Sequence, residues 1–169
     1  MSQDPTKIEI EYDPRQERMI GTTRHKNMYF NVPYVSQITK NLWVGGCATG
    51  LTLPPFFEHL VSLYPWEAYT LRHELVSKLE VRMYDSLDQS MDQVRNIARW
   101  LRSCYKQGPT LVHCQAGLNR SNLIAATALI TDGGNPQEVI DLLREKRASA
   151  VLCNDSFVEF LLTEVLPDE

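Results

Sequence analysis

The chain has 169 residues, 43% of them apolar, and 17 basic against 21 acidic side chains leave a net charge of -4. That length suits one ordinary domain with a core that needs neither disulfides nor metal, and the acidic balance gives no overall basic field for nucleic acid or an anionic membrane. No stretch has the apolar length of a bilayer span, and MSQDPTKIEIEYDPRQER lacks the apolar centre of a secretory leader, so a cytoplasmic, reducing location is expected.

Residues 1–35 are polar and broken by Pro5, Pro14, Gly21 and Pro33, and read as an N-terminal extension; residues 36–169 read as the folded domain. Ile38 to Val44 reads as a strand or hairpin stopped by Gly45 and Gly46, and EHLVSLY at 58–64 as helix or strand. In KLEVRMYD, 78–85, Leu79, Val81 and Met83 alternate with Glu80, Arg82 and Tyr84, which predicts a strand ending at Asp85. Ser90 with Gln93 forms a capping box ahead of Val94, Ile97, Ala98, Leu101 and Tyr105, which predicts a helix over 91–106 stopped by Gly108.

PTLVHC is a short continuous apolar run, the form of a strand buried on both faces. A second helix is predicted from about Arg120 to the Gly133-Gly134 break. Asn135 as N-cap with Pro136 at the first helical position starts a third, running to about Arg147. Ser156 with Glu159 is read as the cap of a fourth, whose Phe157, Phe160, Leu161 and Val165 form an apolar stripe. Strands separated by helices predict an α/β fold: a single domain with a central, mostly parallel mixed sheet flanked by helices, helix-rich toward the C-terminus.

The stretch LVHCQAGLNRS, 111–121, places a cysteine at the end of the buried strand and an arginine at the mouth of the next helix. The first N–H groups of a helix lack partners and sit at the positive end of its dipole, so residues Gln115, Ala116, Gly117, Leu118, Asn119 and Arg120 form a loop suited to a phosphate. The same field stabilises a thiolate at Cys114, and Arg120 grips two phosphate oxygens in a fork that lysine does not reproduce. Gly117 lets the backbone curl around the anion. Cys114 is then placed to attack phosphorus, Ser121 to hydrogen-bond the departing sulfur, and His113 to hold the turn; the leaving oxygen needs a carboxylic acid from elsewhere in the chain.

HCQAGLNRS fits the HCxxGxxR[ST] pattern of the cysteine-dependent protein tyrosine phosphatase superfamily at every fixed position, and the short domain resembles its dual-specificity branch. The resemblance covers most of residues 38–165: NLWVGG is similar to the family's early strand motif and CNDSFVEFLL to its closing Asn-containing turn and helix, while PWEAYTLRHELVSK at 65–78 departs from the usual pattern. It implies an α/β phosphatase fold with a strand-loop-helix active site and a general-acid aspartate about thirty residues before the cysteine. Asp85, 29 residues before Cys114, occupies that place, with Asp88 the alternative.

The expected function is hydrolysis of phosphotyrosine, phosphoserine and phosphothreonine in proteins, with phosphorylated proteins as partners. Phosphoinositide or RNA 5′ phosphatases and a non-catalytic phosphoprotein reader are the alternatives, and a rhodanese-like sulfurtransferase is disfavoured by His113 and Ser121. No cofactor and no metal are expected, since Cys47, Cys104, Cys114 and Cys153 form no CxxC pair and His25, His59, His73 and His113 have no ligand spacing. Cys47, Cys104 and Cys153 read as core residues. Tyr29, Tyr34, Trp66, Tyr69 and Tyr84 are the aromatics available either for a phosphotyrosine slot or for packing.

Overall fold

The computed structural model describes residues 23–25, 28–30 and 32–168. Two short strands, β1 (Thr23–His25) and β2 (Met28–Phe30), pair antiparallel within the segment read as an extension, whose residues 1–22 lie outside the described residues. The main sheet has five strands: β3 (Val35–Gln37), β4 (Leu42–Gly45), β5 (His59–Ser62), β6 (Ser77–Glu80) and β7 (Thr110–His113). Their order is β3-β4-β7-β5-β6; only the β3-β4 pair is antiparallel. The run from 38 to 44 is thus the return of a hairpin, closed by Ile38 N–H on Leu42 O at 2.8 Å. EHLVSLY contains a strand because its apolar run is short and sits beside the sheet centre.

Four helices follow: α1 (Met91–Tyr105), α2 (Arg120–Thr131), α3 (Pro136–Lys146) and α4 (Asp155–Thr163). Ser90 caps α1 through its Oγ and Asn135 caps α3 through its Oδ1, each accepting the N–H three residues on. Two expectations need correction. The fourth helix is capped by Asn154, whose Oδ1 accepts the Ser156 N–H at 3.1 Å; Ser156 itself lies inside the first turn. The strand predicted to reach Asp85 ends at Glu80, because β6 is an edge strand whose neighbour β5 stops at Ser62, and only Val81 N–H still bonds to it. The alternation nevertheless continues, with Met83 buried between exposed Arg82 and Tyr84.

The sheet divides the apolar residues by strand parity. Leu42, Val44, Val61 and Val112 face the core built from all four helices, while Trp43, Leu60 and Leu111 face a second cluster with Phe57, Leu51, Leu53, Tyr34 and Tyr69. Helix α1 presents one buried stripe. Helix α2, by contrast, is buried along almost its whole length and packs on α1, α3, α4 and the sheet, which is why RSNLIAATALIT shows no polar face. No helix among the described residues is long and apolar enough to cross a membrane.

Registers place Gly45, His113, Ser62 and Glu80 in one row across β4, β7, β5 and β6. The residues that follow them all emerge at the same edge, at the carboxyl ends of the parallel strands, where open α/β sheets form their binding crevices.

Candidate active site

Residues 114–119 turn from the end of β7 into α2, and every carbonyl of that turn is held from behind. Cys114 O accepts from His113 Nδ1 at 3.1 Å, and Gln115 O from Cys47 N–H at 3.0 Å. Ala116 O accepts from Arg147 Nη2 at 3.0 Å; Gly117 O from Arg147 Nε at 2.6 Å and Asn122 Nδ2 at 2.8 Å. Leu118 O takes Asn122 Nδ2 at 3.1 Å and Leu152 N–H at 2.8 Å, and Asn119 O the Leu123 N–H. A peptide plane whose carbonyl points into the protein points its N–H the other way. The amides of the turn are therefore gathered on one concave side, at the N-terminus of α2.

Gly117 adopts φ +69°, and a Cβ there would also strike the Gly45 backbone and the Arg147 guanidinium. Gly46 is required for closeness instead: its Cβ would lie 2.8 Å from Gln115 O. Leu152 holds φ 57°, a left-handed conformation that non-glycine residues seldom adopt, and its N–H donates to Leu118 O at 2.8 Å.

Cys114 lies at the floor of the turn, 2% exposed. Its Sγ accepts the Gly117 N–H at 3.3 Å and sits 3.3 Å from Ser121 Oγ, the second residue of α2. Since a carbonyl only accepts, His113 carries its proton on Nδ1. Burial pulls this imidazole down to about 4, so it is neutral near pH 7 and serves as a fixed donor. Its ring meets Tyr69 edge to face, and Tyr69 OH donates to Gly46 O at 2.6 Å. Tyr34 and Tyr69 are core residues, whereas Trp66 and Tyr84 are exposed; Tyr29 has no described side chain.

Arg120, the first residue of α2, is buried, with Nη1 on Met83 O at 3.4 Å and the guanidinium carbon 4.9 Å from the Tyr64 ring centre. Its Nε is buried without a hydrogen-bond partner among the described residues, a donor left available beside the turn. Asp85 arrives on the loop after β6. Its Oδ2 accepts from Asn119 Nδ2 at 3.1 Å and its Oδ1 from Asn154 Nδ2 at 2.9 Å. Asn119 is itself oriented by Asn154 N–H, at 3.0 Å from its Oδ1. Asp88 stays exposed on the same loop, outside this network.

Each residue singled out in 113–121 thus joins one turn, and Asp85 joins them through Asn119, whose side chain supports the carboxylate while its backbone belongs to the turn. Cys153 departs from expectation: it is exposed, with Sγ 3.4 Å from Asn119 Nδ2, because it precedes the α4 cap and rides on that network. Cys47 and Cys104 are buried as expected. The sequence reading missed Arg147, Asn122 and the roles of Asn154 and Tyr69. Asn122 left a signal, a lone amide in an apolar helix that must find a partner once buried; Arg147 left none, since a basic residue at a helix C-terminus is ordinary.

The turn, its thiol and the carboxylate together define the layout of a cysteine-dependent phosphatase. Residues 57–164 match the family described as dual specificity phosphatase, catalytic domain, and the chain belongs to that family. A stretch of 55 residues is 44% identical to rat cyclin-dependent kinase inhibitor 3, covering 31% of this chain and 26% of that protein. Another of 57 residues is 40% identical to the probable protein tyrosine phosphatase type IVA B of Dictyostelium discoideum, covering 33% of this chain and 34% of that protein. The matched stretches thus span about a quarter and a third of these relatives' own lengths.

Among solved structures, the fold is similar to the human tyrosine phosphatase-like serine/threonine/tyrosine-interacting protein, with a TM-score of 0.62 and 17% identity over 75% of this chain and 92% of that one. It is similar also to a mouse putative dual specificity phosphatase complexed with zinc tungstate, with a TM-score of 0.62 and 14% identity over 87% of this chain and 98% of that one. At these identities the likeness is one of fold.

Proposed function

We propose that the chain hydrolyses phosphotyrosine, phosphoserine and phosphothreonine monoesters of proteins through a phosphocysteine intermediate. The observation that carries this reading is a buried thiol beneath a ring of amides whose carbonyls are all bonded outward, with Arg120 Nε, a buried donor without a partner among the described residues, at the start of α2. Amides of 115–120 and Arg120 bind the phosphoryl oxygens. Cys114 Sγ attacks phosphorus as the ester P–O bond breaks, and Asp85 gives its proton to the leaving oxygen. Water then attacks the phosphocysteine, Asp85 takes the proton, and the S–P electron pair returns to sulfur, where Ser121 Oγ stabilises the thiolate.

Gln115, Ala116, Leu118 and Asn119 carry no charge, which favours a single phosphate over a polyanionic lipid head group. The reading takes residues 36–169, together with the core residues Tyr34 and Val35 that lead into β3, as the catalytic domain and the residues before them as an extension, acting in the cytoplasm without metal or cofactor.

The test is phosphate release by wild type and Cys114→Ser on phosphotyrosine and phosphothreonine peptides, a phosphoinositide and a triphosphate-ended RNA, with a chelator present. Release from both peptides that vanishes in the variant is the expected result. Preference for the lipid or the RNA replaces the substrate class; tight phosphopeptide binding with no release from any substrate makes the domain a phosphoprotein reader. Asp85→Ala is expected to slow phosphopeptide turnover more than that of an aryl phosphate with a good leaving group, and equal losses would remove Asp85 from the role of acid.

A further inference from the structure

Arg147, which follows α3, is 6% exposed and lies behind the catalytic turn. Its Nε and Nη2 hold the carbonyls of Gly117 and Ala116, and its Nη1 bonds to Pro33 O at 2.8 Å, Ser36 Oγ at 3.1 Å and Val44 O at 3.4 Å. One guanidinium thus ties the turn to β3 and β4. Among the described residues none of these partners is a carboxylate.

A buried cation without a counter-charge is costly, and bracing carbonyls does not require one. Asn122 braces Gly117 and Leu118 with a neutral amide. The ionisable groups that act on Arg147 are Cys114 and Tyr69. Tyr69 is kept neutral by burial and spends its proton on Gly46 O. Geometry joins Arg147 to Cys114 through one peptide, whose Ala116 O accepts from Arg147 Nη2 while its Gly117 N–H donates to Cys114 Sγ at 3.3 Å. Burial lowers the Arg147 guanidinium only to about 10, so it is charged at neutral pH.

We propose that Arg147 is a submerged positioning residue of the anion site: it turns the 116 and 117 carbonyls outward so that the amides face the oxyanion, and its charge stabilises the Cys114 thiolate from behind. This rests on the phosphatase reading of Cys114. Arg120 grips the phosphate directly, whereas Arg147 acts through the turn.

The test compares wild type, Arg147→Lys and Arg147→Met by two readouts that need no turnover. One is the pH midpoint of Cys114 alkylation by iodoacetamide, followed at that residue by mass spectrometry; the other is tungstate affinity by calorimetry, with circular dichroism as the folding control. The ionisable groups bonded to the turn or packed on it are Arg120 on α2 with Tyr64 against it, Arg147 behind the turn, His113 on β7, Tyr69 and Cys47 on the second core, and Asp85 and Cys153 through Asn119. Of these only Arg147 is changed.

Arg147→Lys keeps the charge but not the fork, so its alkylation midpoint should stay near wild type while tungstate binds about tenfold more weakly. Arg147→Met should raise the midpoint by about one pH unit as well. Folded variants that keep both the wild-type midpoint and the wild-type tungstate affinity would reduce Arg147 to a structural brace. Should Arg147→Met not fold, an unchanged tungstate affinity in Arg147→Lys overturns the proposal by itself. A wild-type Cys114 that reacts as an ordinary thiol, in a protein that releases no phosphate, overturns the phosphatase reading too; phosphate release with unaltered variants overturns only the role of Arg147.

Discussion

At the scale of single residues the site depends on side chains that orient others. Asp85 accepts from two asparagines of different elements, one on the turn before α2 and one capping α4. Asn154 therefore has two separable duties. Asn154→Ser keeps an oxygen for the cap and loses the amide that holds the carboxylate, so stability should change by less than about 1 kcal/mol. Turnover of a phosphopeptide should nevertheless fall about ten- to a hundredfold, as misplaced catalytic groups do. Denaturant melts and steady-state kinetics on one preparation check both halves; an unchanged kcat would mean that the Asn154 amide does not position Asp85.

Gly117 tests the turn itself. Gly117→Ala meets both the positive φ and the Gly45 backbone, so phosphate binding should be lost or greatly weakened rather than tuned, as phosphate titration would show.

At the scale of elements, helix ends remote from the turn should contribute stability without chemistry. Asn135 caps α3 from the exposed end, and its Oδ1 satisfies the Glu138 N–H at 3.1 Å. Asn135→Ala should cost about 1 kcal/mol in urea unfolding and leave kcat/KM unchanged. A loss of activity there would mean that α3 transmits cap strain to Arg147 at its other end. Helix α2 differs, because its first residues are the site and its remainder is core. The turn is consequently anchored to the helix that is most fully buried among the described ones.

At the scale of the whole molecule the row Gly45, His113, Ser62 and Glu80 brings four loops to one edge, and the buried imidazoles of that sheet make stability sensitive to acid. Burial lowers His113 from 6.5 to about 4, and lowers His59 as well. Between those values the unfolded chain binds a proton that the folded chain does not, so stability rises with pH there and is lost as pH falls from about 6.5 to about 4. For His113 alone the loss is about 3 kcal/mol. Thermal melts from pH 4 to 8 should show that slope, and His113→Asn should remove the larger share of it; an unaltered slope would assign the acid sensitivity to other groups.

Local physics wrote much of this protein into its sequence. The caps at Ser90 and Asn135 depend on residues three apart, the buried run PTLVHC on composition alone, and the turn of 113–121 on a contiguous motif whose backbone needs a glycine at 117. These can be read from the chain because their partners are near in sequence. That Asp85 stands near the turn was implied by the family resemblance, and the structure bonds it there to Asn119; its part as acid belongs to the proposed function. What tertiary structure decided lies in contacts between distant segments: that EHLVSLY is a strand beside β7, that Tyr34 and Tyr69 are core, that Cys153 is exposed, that Asn154 serves a carboxylate 69 residues away, and that Arg147 lies beneath the turn 30 residues before it. A side chain's burial and hydrogen-bond partners depend on which elements pack together, and one position in a sequence carries no record of its neighbours in space.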